Sequence, residues 1–277
     1  MLQLCAKRNF HDLPIGFMSL LSRTPGQKFF KVIACEIAIR EFNYAAAVSR
    51  NLVDLEFLTQ GYHDIPGTGR KAIQECIDAV PAGKYDAVIL GYGLCSKIVE
   101  GLRCSHTSLV IPRAHDCITF FLGSKERYQQ CFNERPGTYY YTSGWLECAC
   151  RRGDKSPFLG GASVPANLSL KANYEDWLLK YGEDQANFLM EEMSRWTQSY
   201  SHGTWIQLEF LKHLEFRKRV QSICAEKGWE YNEIEGDLNY FTRLLEGDWP
   251  PESFLVVPPG ETVTATHDDR IIGTGSR

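Results

Sequence analysis

Three cysteines and a histidine stand just beyond strand-like apolar runs, and these are the side chains best equipped for chemistry. Cys35 closes Lys31-Val32-Ile33-Ala34, and Cys95 follows Ala87-Val88-Ile89-Leu90 through the turn Gly91-Tyr92-Gly93-Leu94. His115 and Cys117 follow Leu109-Val110-Ile111 through Pro112-Arg113-Ala114. In an open α/β sheet the carboxyl ends of parallel strands lie side by side, so residues distant in sequence meet in the crevice outside them. Three sulfurs and an imidazole meeting there form a soft-metal donor set, with zinc preferred and iron the alternative. Four ligands would close the site as a structural one; three would leave a position for a thiol, water or substrate. His115-Asp116-Cys117 also fits a helix start, with Asp116 complementing the helix dipole and Cys117 packing in the core.

Other residues near these strand ends suit substrate binding. Gly91 and Gly93 can turn backbone amides toward an anion. The turn lacks the third glycine of the dinucleotide fingerprint and the Lys-Ser/Thr of a phosphate loop, so delivering Cys95 is its competing use. Arg113 is suited to grip a carboxylate or phosphate, or to form a structural salt bridge. Glu36 fits either a partner for a ligand imidazole or a helix-start acid. Asp237 follows a strand-like run and would face the cysteines across a cleft as a substrate-binding group or base. It equally fits the N-cap of a helix beginning near Leu238. Cys148-Ala149-Cys150 reads as a loop after Trp145, a second clamp or redox pair.

The elements that must position these groups alternate. Strands are expected at 31–35, 55–59, 87–91, 108–112, 137–142, 205–208, 229–235 and 254–257. Helices are expected after 35 and over 68–80, 115–132, 173–198, 211–227 and 238–246. Alternation in both halves predicts an α/β fold: a parallel-sheet, Rossmann-like core with helices on both faces, arranged as two similar lobes. The expected division is an N-terminal arm at 1–30, a first α/β lobe with the Cys/His cluster at 31–150, and a Gly/Pro/Ser-rich linker at 151–172. A second α/β lobe at 173–261 and a frayed polar tail at 262–277 complete it.

At 277 residues the chain is long enough for one large domain or two small ones. Its net charge of −4 provides no basic footprint for nucleic acid. No apolar run approaches the ~18 residues of a membrane helix, and Lys7-Arg8 interrupts the N-terminus early for a secretory signal. A cytoplasmic location is therefore expected. Ten cysteines are many for that compartment, where disulfides are reduced, so thiols near loops read as ligands or reactive groups. Cys76, Cys131 and Cys224 fall in helix-like segments and are expected to be core.

Several ordered motifs resemble one bacterial and archaeal family, that of domain of unknown function 1638. They are Lys31-Val32-Ile33-Ala34-Cys35-Glu36, Gly91-Tyr92-Gly93-Leu94-Cys95, Ile111-Pro112-Arg113-Ala114-His115-Asp116-Cys117, Leu122-Gly123-Ser124 and Pro136-Gly137-Thr138-Tyr139-Tyr140. Glu235-Gly236-Asp237, Leu244-Leu245-Glu246-Gly247-Asp248-Trp249 and Phe254-Leu255-Val256-Val257-Pro258-Pro259-Gly260 extend the likeness to about 31–260. The N-terminal thirty residues and the Cys148–Cys150 pair depart from the pattern. The resemblance implies a setting beside corrinoid-dependent methyltransferases, and so a metal-dependent transferase acting on a thiol or methyl group. The alternative is a non-catalytic accessory protein that binds a corrinoid-protein partner or small molecule. Any corrinoid would come through such a partner. Zinc thiol-methyltransferases of those systems use a His-x-Cys and a distant Cys, a set that His115, Cys117 and Cys95 or Cys35 resemble by type. Those enzymes are eight-stranded barrels, so the likeness is of site chemistry rather than fold.

Overall fold

A computed structural model describes residues 23–63, 66–151, 178–179, 182–187 and 200–275. Strand β1 (Phe29–Cys35) is apolar on both faces apart from Lys31, as a strand covered by helices on each side should be. It pairs in parallel with β2 (Leu52–Leu58) on one side and β3 (Ala87–Gly91) on the other. Strand β4 (Leu109–Pro112) continues the parallel run. Strand β8 (Phe254–Val257) closes the edge antiparallel, giving the order β2-β1-β3-β4-β8.

Side chains alternate along these strands with period two and so feed two cores. Phe30, Val32, Ala34, Ile89 and Val110 join Phe42 and Ala45 of α1 (Ile39–Val48) on one face. Ile33, Val88, Leu90, Leu109 and Ile111 join Ile73 and Ile77 of α2 (Pro66–Asp78) on the other. Helix α1 leads from β1 to β2, and α2 leads from β2 back past β1 to β3. Winding therefore reverses at β1, with consecutive crossover helices on opposite faces.

Beyond β4 the chain forms α3 (Ile118–Leu122) and α4 (Lys125–Glu134). The expected single helix over 115–132 is split because Gly123 ends α3 in the left-handed conformation and Ser124 caps α4, accepting from the Arg127 N–H at 3.0 Å. A second, three-stranded parallel sheet follows, formed by β5 (Thr138–Tyr141), β6 (His202–Gln207) and β7 (Glu230–Glu235). Between β5 and the linker lies α5 (Ser143–Arg151). Cys148-Ala149-Cys150 therefore sits on a helix rather than the expected loop, with Cys148 buried. Helix α6 (Phe216–Lys227) covers one face of this sheet, burying Cys224 beside Trp205 and Tyr141. Helix α7 (Asn239–Glu246) packs Phe241, Leu244 and Leu245 into the first core and leads to β8.

The strands do not sort into successive lobes at 31–150 and 173–261. Strand β5 belongs to the second sheet, whereas β8 returns to the first. The apolar pattern shows that Phe254–Val257 is a buried strand, but it does not say which edge the strand joins. The helix expected at 173–198 and the linker at 151–172 lie largely outside the described residues. No described helix is long and apolar enough to cross a membrane.

The tail expected to fray is a hairpin of β9 (Thr262–Ala265) and β10 (Ile272–Gly275), with Val263, Ile271 and Ile272 buried in the second core. Its anchor is Arg113. The guanidinium donates to the carbonyl oxygens of Pro251 at 2.7 Å and Arg270 at 2.9 Å, and also to that of Ile272. Arg113→Met would leave those acceptors without their donor and is expected to cost about 2–3 kcal/mol. Denaturant unfolding should show that loss, and amide exchange should accelerate across 262–275 ahead of the β1–β4 sheet.

Candidate functional site

All four parallel strands of the first sheet send their carboxyl-terminal segments to one cavity of about 30 Å³, room for a few atoms. Cys35 and Ile37 come from the end of β1, and Thr59, Gln60, Tyr62 and His63 from the segment after β2. Gly91, Tyr92, Gly93, Cys95 and Ile98 follow from β3, and Cys117 from the segment after β4. Trp145 of α5 completes the wall. The cavity thus lies at the switch point where winding reverses between β1 and β3, the place where open α/β sheets bind ligands.

The β3 and β4 extensions are tied together beyond the regular sheet. The Leu94 N–H donates to Ala114 O at 2.8 Å, and the Cys95 N–H to His115 O at 2.9 Å. Gly93 permits this contact, since a side chain there would meet Ala114 O at 2.9 Å and the Asp116 backbone at 3.1 Å. Gly91 serves packing in the same way, because a Cβ on it would lie 2.5 Å from Ala34 Cβ and 2.6 Å from the Phe42 ring. Cys95, Ser96 and Lys97 then form a left-handed turn, with φ of 39°, 56° and 66°. Such φ values cost non-glycine residues roughly 1–2 kcal/mol each. The turn is held by Ile98 N–H to Leu94 O at 2.9 Å and by Arg70 Nη2 to Lys97 O at 2.7 Å.

Cys35, Cys95 and Cys117, drawn from three strands adjacent in space, therefore face one cavity. Burial raises all three thiol pKa values, that of Cys95 to about 12. Backbone amides oppose this: Gly93 and Cys117 N–H groups hydrogen-bond the Cys95 sulfur, and the Ile37 N–H that of Cys35. No Lys, Arg, Asp or Glu lines the cavity. Asp116, behind it, accepts from Tyr128 Oη at 2.9 Å and raises the Cys95 and Cys117 pKa values further. As the side chains stand, no three Cys, His, Asp or Glu among the described residues are gathered closely enough to enclose a metal ion. The three sulfurs fit a soft cation by donor type.

The remaining sequence candidates are placed elsewhere. His115 is exposed and absent from the cavity wall, to which it contributes through its backbone carbonyl on Cys95. Arg113 is occupied by the carbonyl oxygens of Pro251, ahead of β8, and of Arg270 and Ile272 in the C-terminal hairpin. Asp237 is exposed, accepts from the Asn239 N–H at 2.8 Å ahead of α7, and packs against Gly123, outside the cavity wall. Glu36 accepts from Thr59 Oγ1 at 3.2 Å and the Gln60 N–H at 3.0 Å, fixing the segment after β2. Sequence reasoning missed His63, Tyr92 and Trp145. The strand-end rule applied to β2 would have reached His63, whereas Trp145 arrives on a helix that was expected to be a loop.

An open, mainly parallel α/β sheet with a cavity at its switch point defines a Rossmann-like protein. The sequence model described as "Protein of unknown function (DUF1638)" matches residues 57–245, more than half of the chain, and the chain belongs to that family. It matches no curated protein and no solved structure.

Helix α5, which carries Trp145, is docked through a buried carboxyl. Glu41 of α1 is fully buried and accepts from Ser143 Oγ at 2.9 Å, while its second oxygen has no hydrogen-bond partner. Arg40 reinforces the contact with two bonds to Glu147, at 2.8 and 2.5 Å. Burial pushes the Glu41 carboxyl up to about 7. A raised carboxyl pKa contributes stability at acid pH that is lost as pH climbs from the ordinary carboxyl range through 7. Glu41→Gln removes that titration, so wild type should lose about 2–3 kcal/mol relative to the variant between pH 4.5 and 8. Parallel unfolding curves across this range for the two proteins would show that Glu41 is ionised in both states.

Proposed function

We propose that this protein binds one soft divalent cation, zinc or iron, through Cys35, Cys95 and Cys117. The observation that carries this reading is that three strand ends deliver three sulfurs to one cavity whose wall has no charged side chain. Buried thiols become thiolates at neutral pH when a cation compensates them, and metal binding releases their protons. Amide N–H groups aimed at the Cys35 and Cys95 sulfurs stabilise the same anionic form. The strained turn at Cys95–Lys97 supports the reading, since strain concentrates where a side chain must be held in a set place. Three protein ligands leave a coordination position open, which a catalytic site needs and a structural site does not. In the setting that the family resemblance implies, the activity is a cytoplasmic, metal-dependent transfer of a methyl group or of a thiol substrate. A corrinoid would be supplied by a partner protein.

Elemental analysis of protein purified without oxygen is expected to find about one equivalent of zinc or iron per chain. Cys95→Ser and Cys117→Ser should each lose it while remaining folded, and His115→Ala should keep it. Folded wild type that binds neither metal when supplied in excess would overturn the proposal.

A further inference from the structure

The wall of the switch-point cavity restricts what can occupy it. Its accessible surface is almost wholly apolar, and no Lys, Arg, Asp or Glu contributes to it. Polar groups nearby are committed elsewhere. Thr59 Oγ1 and the Gln60 N–H both donate to Glu36, at 3.2 and 3.0 Å. The Leu94 and Cys95 N–H groups donate to Ala114 O and His115 O. The Tyr92 hydroxyl is buried, with essentially no accessible surface.

Such a wall disfavours three classes of occupant. An ion would lose its hydration without a counter-charge. Water inside a protein makes about three hydrogen bonds, and this wall exposes almost nothing to bond it. A molecule with a hydroxyl would bury that group unpaired. An apolar occupant meets none of these costs. Interiors are close-packed, and a void forfeits dispersion contacts that an occupant restores. The sulfurs of Cys35, Cys95 and Cys117 and the rings of Tyr62 and Trp145 are polarisable partners for it. A cavity of about 30 Å³ admits only about two heavy atoms. Its place at the strand ends, where winding reverses, is where open α/β sheets bind ligands.

We propose that this cavity is a binding site for a small apolar molecule of about two heavy atoms, a dissolved gas or light hydrocarbon, and that the three cysteine sulfurs are among its contacts. This goes beyond the metal reading and does not rest on it.

The test uses the full, reduced chain after dialysis against a chelator. Methyl NMR of Ile37 and Ile98, both on the wall, reports occupancy. The probes are ethane, methanol and methylammonium, which share a size and differ in polarity and charge. So small a ligand binds no tighter than the millimolar range. Ethane, dissolved under pressure, should shift both methyl signals saturably. Methanol and methylammonium should each bind at least about tenfold more weakly. Cys117→Met extends the side chain by two heavy atoms and, folded by circular dichroism, should abolish the ethane response. The three-probe comparison on wild type needs no variant. No saturable response to ethane up to about 50 mM, or binding of methanol or methylammonium as tight as that of ethane, would overturn the proposal. An unchanged ethane response in folded Cys117→Met would overturn it too. Metal content measured on undialysed samples of the same preparations reads the metal proposal separately.

Discussion

The site depends on the reversal of winding at β1. Because α1 covers one face of the sheet and α2 the other, the segments leaving β1 and β3 diverge, and no crossover helix fills the space between them. Parallel pairing then fixes what lies at the rim. Register sets Cys35 beside Leu58 and Ala34 beside Gly91, so β1 presents its cysteine one residue beyond the last β1–β3 pair. A one-residue slip would turn Cys35 to the opposite face, and fully buried Val32, Ile33 and Ala34 hold the register against it.

The second sheet and the C-terminal hairpin support this arrangement. The second sheet contributes Tyr140, Ile206 and Leu208 to the first core, and α5, following β5, brings Trp145 to the cavity. The hairpin covers the other face, where Val263 and Ile272 pack with the residues beneath α2. At the rim the balance is electrostatic. Burial keeps the thiols neutral, amide hydrogen bonds favour their anions, and the wall has no charge to decide between them. The cation proposed for this site would decide it.

Much of the first sheet was legible because its strands are short, continuous apolar runs, and 87–91 and 254–257 fall where they were expected. The convergence of three cysteines followed from those runs and the rule for parallel strand ends. Partner choice between edges was not legible, because local periodicity is the same for any sheet: β5 and β8 each join the sheet opposite to the expected one. His115 illustrates a second limit. It shares the loop of Cys117, but side-chain direction there is set by the hydrogen bonds to Leu94 and Cys95, and these turn the imidazole outward. For Arg113 the sequence leaves ligand binding and a structural salt bridge both open, because nothing local to it shows the carbonyls it serves, which lie more than 130 residues away. The left-handed turn at Cys95–Lys97 has no glycine to announce it.

The central claim is that sulfurs from three strand ends act together on one centre. X-ray absorption at the zinc edge of zinc-loaded protein measures this most directly, since it counts the sulfur atoms around the metal and their distance. The account predicts three sulfur scatterers at about 2.3 Å with one lighter neighbour. A shell of oxygen and nitrogen alone, or a single sulfur, would contradict it.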